Sequence, residues 1–161
     1  MKNPRALILA AAVALGALTV ADRAEAVVHA GVYGGVQHFG QPGTYAMARA
    51  EGSVGVIPWF HLGGYAQLLE GLGQAQGGWG AGAIAALRPS IPGFKVDPMA
   101  FATLGYQRVG AGDGLTVELG GGLAWHVAEV LDIELRGAWV NIASSGAPSG
   151  FHATLGLSLV L

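Results

Sequence analysis

Apolar residues alternate with polar or small ones along the last stretch of the chain. From Phe151 to Leu161 every second residue is apolar, and the residues between them include His152, Thr154 and Ser158. A period of two predicts a β-strand with one apolar face, because successive side chains of a strand point to opposite sides. The strand therefore offers an apolar face along its whole length.

Seven earlier segments have the same period, each with an apolar face opposite a face that carries polar residues. An even number of alternating segments of about 9–11 residues is typical of a transmembrane β-barrel. We therefore predict an all-β fold, an eight-stranded antiparallel up-and-down transmembrane barrel. The predicted strands are Val28–His38, Met47–Ile57, Phe60–Leu69, Trp79–Arg88, Met99–Arg108, Leu115–His126, Leu131–Asn141 and Gly150–Leu161.

The fourth segment is rich in glycine and alanine, so its two faces are hard to distinguish. We place its larger and apolar residues outward, toward lipid. These are Trp79, Ala81, Ala83, Ala85 and Leu87.

Charge separates the two faces of the remaining segments. Arg49 and Glu51 share a face with Tyr33 and Gln37, and Glu134 and Arg136 lie on an equivalent face. The opposite faces are almost free of charge. A soluble secreted β-barrel or sandwich is the alternative, but its outer face would be polar and its inner face apolar. The observed pattern is the reverse, which favours lipid outside.

The connecting segments form two sets. One set is rich in glycine, serine and polar residues, and Asp113-Gly114 within it is a hairpin signal. The other set is tight or marked by proline. Longer outside loops and short periplasmic turns are typical of outer-membrane barrels. The first set is Phe39–Tyr45, Glu70–Gly78, Gly110–Gly114 and Ser144–Ser149, and the second is Pro58, the unusually long Pro89–Pro98, and Val127–Val130.

Residues 1–26 have the form of a cleavable signal peptide. Lys2 and Arg5 precede an apolar core, and Ala24-Glu25-Ala26 is a small-x-small cleavage site. The core, Ala6–Val20, is shorter than the roughly 20 residues of a spanning helix. We assign residues 27–161 to the barrel domain.

The low content of charged residues agrees with a chain whose outer surface contacts lipid. Charged residues make up 11 % of the sequence, against about 25 % in ordinary globular proteins. The net charge is −2 without a basic patch, so nucleic acid is not an expected partner. The sequence has no cysteine, which excludes disulfides and thiolate metal sites.

Glycine and aromatic residues also fit a narrow barrel in a membrane. Inward glycines leave room for neighbouring side chains where the sheet curves sharply. Aromatic residues near the predicted strand ends would form the girdles found at membrane interfaces. The inward glycines are Gly55, Gly63, Gly105, Gly120, Gly122 and Gly156, and the girdle is Trp59, Phe60, Trp79, Tyr106, Trp125, Trp139 and Phe151.

With these features the chain from residue 27 onward resembles the small eight-stranded outer-membrane barrels of Gram-negative bacteria, of the outer membrane protein A or X type. In such families the last strand carries an assembly signal of the form polar-x-Gly-x-x-aromatic-x-aromatic. Thr154, Gly156, Leu159 and Leu161 match this frame, with leucines where aromatics are usual. The resemblance implies an outer-membrane location and recognition of the last strand by the assembly machinery.

The lumen of an eight-stranded barrel is about filled by side chains, and buried charges there must pair. We predict a mid-barrel network with more acid than base, formed by Arg49, Glu51, Glu118, Glu134 and Arg136. A titratable cluster is predicted at the periplasmic end, where the excess acid would protonate some histidines. It consists of His29, His61, His126 and Asp132, and no ligand-spacing motif indicates a metal.

Three classes of function remain at this stage. The first is a structural or interaction protein of the envelope, a monomer in outer-membrane lipid with a filled lumen and no cofactor. The second is a narrow channel for ions or small solutes. The third is a lipid-modifying enzyme, for which His152 and the nearby Ser144, Ser145 and Ser149 are the available residues, although no nucleophile motif is present.

Overall fold

A computed structural model describes residues 27–40, 43–73, 75–110, 112–143 and 149–161. The predicted signal peptide, residues 1–26, lies outside the described residues. Eight strands follow one another around a closed antiparallel barrel, which confirms the predicted fold class. They are β1 (Val28–Phe39), β2 (Gly43–Ile57), β3 (Phe60–Gly71), β4 (Gly78–Leu87), β5 (Val96–Val109), β6 (Gly112–Ala128), β7 (Leu131–Ala143) and β8 (Ser149–Val160).

Pairing between β1 and β8 closes the sheet. The register runs from His29 opposite Val160 to Phe39 opposite Gly150. Each strand therefore has a hydrogen-bonded neighbour on both sides, and the sheet has no free edge. Strands cross a bilayer only in such a closed arrangement, because lipid offers no partner to backbone N–H and C=O groups.

The faces of the strands agree with the alternation in the sequence. Outward side chains are mainly Val, Leu, Ala and aromatic residues, and those of β4 are the ones placed outward from the sequence. Among the strand residues that the structure describes, the outward charged ones are Glu70, Arg108 and Asp113. In the described ranges no helix is long and apolar enough to cross a membrane.

The barrel has two ends, which we name by their connections. The turn end holds the β2–β3, β4–β5 and β6–β7 connections, and the loop end holds the other four. The longest connection is residues 88–95 at the turn end, the segment that the sequence marks as unusually long, and the other two turn-end connections have two residues each. The predicted Pro89–Pro98 connection ends early because Val96 to Pro98 already pair with β6. Proline is tolerated there because pairing with β4 begins only at Ala100.

The hairpin predicted at Asp113-Gly114 lies elsewhere. Both residues belong to β6, where Asp113 is opposite Arg108, and β5 ends at Val109, so the turn includes Gly110. Gly110 has φ of 59°, the left-handed conformation that a tight hairpin requires. Strand pairing beyond the expected span therefore moves the turn by a few residues.

Close approach to a neighbouring side chain explains an inward glycine on β6. A Cβ atom at Gly120 would lie 2.6 Å from the Phe101 ring, 2.6 Å from the Ala138 Cβ and 2.6 Å from the Gly137 carbonyl oxygen. No real side chain fits these distances. Gly120 thus lets the Phe101 ring occupy the lumen.

We expect Gly120→Ala to lower the free energy of unfolding by about 1–3 kcal/mol, because overpacking forces side chains and backbone apart. Urea titration of the refolded barrel measures this as a lower midpoint. Gly34→Ala is the matched control, since a Cβ at Gly34 meets nothing within 4 Å. Equal midpoints for the two variants would contradict this account of Gly120.

Candidate functional site

An apolar plug fills the lumen at the loop end. Its members are inward residues near the loop ends of five strands, each at most 4 % exposed. They come from inward positions that alternate with lipid-facing ones, so the plug follows from strand periodicity. The plug consists of Phe39, Tyr45, Met47, Leu69, Val109, Val140 and Ile142.

A row of glutamines lies below the plug. Gln67 Nε2 donates to Gln107 Oε1 at 3.1 Å, and Gln107 Nε2 donates to Gln37 Oε1 at 3.3 Å. The side-chain oxygen of Gln67, Oε1, also accepts a hydrogen bond from Arg49 Nη1 at 3.3 Å. The glutamines thus link three strands across the lumen and connect them to the charges below.

Arg49 occupies one side of the charge network. Its Nε lies 2.7 Å from Glu51 Oε1, and its Nη1 lies 2.6 Å from Glu118 Oε2. The guanidinium carbon lies 3.9 Å from the centre of the Tyr65 ring, within cation–π range. All four side chains point into the lumen.

Arg136 occupies the other side. Its Nη1 lies 2.5 Å from Glu51 Oε2, and its Nη2 lies 2.5 Å from Glu134 Oε2. Its guanidinium carbon is 3.9 Å from the Tyr33 ring centre. Glu51 therefore bridges the two arginines, and the structure brings the five residues of the predicted mid-barrel network together.

Arg88 is a sixth member that sequence reasoning missed. Its Nη1 and Nη2 lie 2.8 and 3.2 Å from the two carboxylate oxygens of Glu134. Ser158 Oγ also donates to Glu134 at 2.5 Å. With Arg88 the network holds three guanidinium groups and three carboxylates, so the acid excess expected in the mid-barrel is absent. The alternation of β4, continued one residue past Leu87, is the signal that could have found Arg88.

The network makes charge burial possible. Glu118 and Glu134 have fully buried side chains, and those of Arg49 and Arg136 are 2 % exposed. Removing one partner from such a group leaves an uncompensated charge that water does not reach.

We expect Arg136→Met to lower the free energy of unfolding by about 3–5 kcal/mol, because Glu51 and Glu134 each lose a cationic partner. Urea midpoints of the refolded barrel are the measurement. Arg108→Met, which alters an exposed arginine near the loop end, should change stability by no more than about 0.5 kcal/mol. A similar small change for both variants would show that the ion pairs do not stabilise the fold.

A cavity of about 210 Å³ lies at the turn end of the lumen. The four residues of the predicted histidine cluster all line it, but they form two separate groups. His29 and His61 pack edge to face with ring centres 4.6 Å apart, and Arg88 Nη1 lies 3.4 Å from His29 Nδ1. His126 and Asp132 lie on the other side.

His126 connects two carboxylates. Its Nδ1 lies 2.7 Å from Asp132 Oδ1, and its Nε2 lies 2.8 Å from Asp97 Oδ2. Donating to both requires an N–H on each ring nitrogen, which only the imidazolium has. Because both ring nitrogens are occupied, neither is available to a metal. Among the described residues no group of three or more acidic or histidine side chains could hold a metal ion.

Asp97 was missed because it falls in a segment predicted as a turn. The inward alternation of β5 (Met99, Phe101, Thr103) reaches Asp97 when it is continued by one step. Its other oxygen, Oδ1, accepts from the Ile91 N–H at 2.9 Å. Asp97 therefore ties the β4–β5 connection to the barrel wall.

His152 lies in the lumen, 4 % exposed. Its Nε2 is 3.7 Å from Glu118 Oε2, and its ring centre is 6.4 Å from that of Phe101. Ser149 is exposed, while Ser144 and Ser145 lie outside the described residues. The imidazole thus faces the charge network and not the lipid side of β8.

The predicted girdle residues all lie on the outside, and those other than Phe60 are at least 37 % exposed. They lie toward the two ends of the barrel: Trp59, Phe60 and Trp125 toward the turn end, and Trp79, Tyr106, Trp139 and Phe151 toward the loop end. On β8, Thr154 and Gly156 are inward and Leu159 is exposed, as is Leu161 directly after the strand.

Solved outer-membrane barrels share this fold. Neisserial surface protein A matches with a TM-score of 0.66 and 14 % identity, over 84 % of this chain and 97 % of that one. The N-terminal β-barrel domain of Pseudomonas aeruginosa OprF matches at 0.63 and 15 %, over 84 % and 97 %. Ail, the attachment invasion locus protein of Yersinia pestis, matches at 0.58 and 9 %, over 84 % and 98 %.

No protein-family model and no curated protein matches the chain. At these identities the structural likeness shows the fold, which is that of the small eight-stranded outer-membrane β-barrels.

Proposed function

We propose that the chain is a structural or interaction protein of the Gram-negative outer membrane, a monomeric barrel whose lumen does not conduct. The observation that carries this proposal is the filled lumen. Plug, glutamine row and charge network succeed one another inside the barrel, and most of their side chains contact one another directly.

The outer surface supports the membrane location. Apolar residues cover the outward faces between the two groups of girdle aromatics, as the hydrocarbon core and its interfaces favour. The proteins of similar fold include Neisserial surface protein A and the barrel domain of Pseudomonas aeruginosa OprF. Recognition of β8 by the assembly machinery belongs to the same proposal.

A channel would need a continuous path of water. The plug residues are 0–4 % exposed, and below them the charges are paired with one another instead of lining an open pore. Selective pores use rings of charged or carbonyl groups that face a passing ion. The network satisfies its own charges, which supports the filled, non-conducting interpretation.

The position of His152 supports a non-catalytic role. A general base that acts on lipid must come within hydrogen-bond reach of the lipid, whereas this imidazole is 4 % exposed and lies on the lumen side of β8. Lipid A deacylation measured with the barrel and with His152→Ala tests this point. Activity that the variant loses would favour the enzyme.

We expect the unheated barrel to migrate on an SDS gel at a different position from the boiled chain, because the closed sheet resists detergent until heated. The same refolded sample should show no discrete conductance steps in a planar bilayer. Steps in a sample with the heat-dependent shift would establish a channel, and a soluble periplasmic protein without the shift would favour the secreted β-sandwich.

A further inference from the structure

The β4–β5 connection presents an aromatic side chain at the turn end. Phe94 is 70 % exposed, more than any other large apolar side chain in the ranges that the structure describes. Its neighbour in the loop, Ile91, is 39 % exposed. Exposing this apolar area to water has a free-energy cost, so Phe94 and Ile91 are candidates for contact with a membrane or with another molecule.

Hydrogen bonds hold this connection in place. Besides the bond from the Ile91 N–H to Asp97, the Phe94 N–H donates to the Ile91 carbonyl at 3.1 Å, and the His126 N–H donates to the Lys95 carbonyl at 2.9 Å. Gly93 has φ of 84° and follows Pro92, as in a type II turn. The exposure of Phe94 is therefore built into the loop.

Phe94 continues the apolar rim of the barrel. It precedes Val96 by two residues, and Val96, 40 % exposed, is opposite Trp125, 53 % exposed. Trp59, 52 % exposed, accepts a hydrogen bond at its carbonyl from the Arg88 N–H, at the start of the same connection. Lys95, which is exposed, is the one residue between Phe94 and Val96 in the chain.

We infer that Phe94 inserts into the phospholipid interface at the turn end, with the Lys95 ammonium at the lipid phosphates. Within residues 88–95, Arg88 is bound to Glu134, so Lys95 is the cation available to an anionic surface. An aromatic ring beside a lysine suits an interface with an apolar and an anionic layer. Continuity with the lipid-facing surface favours lipid over a second protein as the occupant.

This inference rests on the proposed membrane location, and site-directed spin labelling separates the two. Because the sequence has no cysteine, Phe94→Cys, Val96→Cys and Glu129→Cys each accept one label. Each variant is refolded in vesicles of phosphatidylcholine and phosphatidylglycerol, and the heat-dependent gel shift checks its folding. Val96 is the lipid control, and Glu129, in the β6–β7 turn at the same end, is the water control.

We expect the label at residue 94 to collide with oxygen more often than with a water-soluble nickel chelate, as at residue 96 and unlike residue 129. Nickel access equal to that at residue 129 would overturn the inference. Shielding from both reagents would mean a protein contact and would overturn it too. A label at residue 96 that is open to nickel would instead contradict the membrane location itself.

Phe94→Trp keeps an aromatic ring and provides a second measurement. Its added fluorescence, relative to the parent barrel, should be quenched by lipids with brominated acyl chains. Added fluorescence that these lipids leave unquenched would place residue 94 in water and refute the anchor.

Discussion

Pairing of β1 with β8 is the interaction on which the rest of the structure depends. A bilayer core contains no water to satisfy a free strand edge, so eight strands are stable there only as a closed sheet. Closure also fixes which side chains face lipid and which face the lumen. The two surfaces of the molecule, one apolar and one polar, follow from this single geometric requirement.

Closure at eight strands leaves an interior about as wide as its own side chains. Bulky rings fit because glycine stands opposite them, as Gly120 does for Phe101. Charges are stable inside because each carboxylate meets a guanidinium, with Glu51 shared between Arg49 and Arg136. The charged groups of the interior are therefore paired with one another.

The strands and their facing could be read from the sequence because a period of two survives along each segment, even in the alanine-rich β4. The strand ends could not, because β5 and β6 continue to pair past the predicted segments, and this displaced the Asp113-Gly114 turn and concealed Asp97. Arg88, at the end of the predicted fourth strand, was missed because that segment has no other charge to mark its inward face. Which partner each charge takes depends on the stagger of distant strands. That stagger brings Arg49 to Glu118, and no local pattern encodes it.

The apolar outer surface determines which substitutions the outer positions of the strands tolerate. Hydrocarbon requires that a side chain be apolar but places little demand on its shape, so Ala, Val and Leu can replace one another on the outer positions. Half of every strand can then exchange one apolar residue for another, whereas replacing a paired lumen charge leaves its partner uncompensated. A common fold at 14 % identity with Neisserial surface protein A agrees with this tolerance.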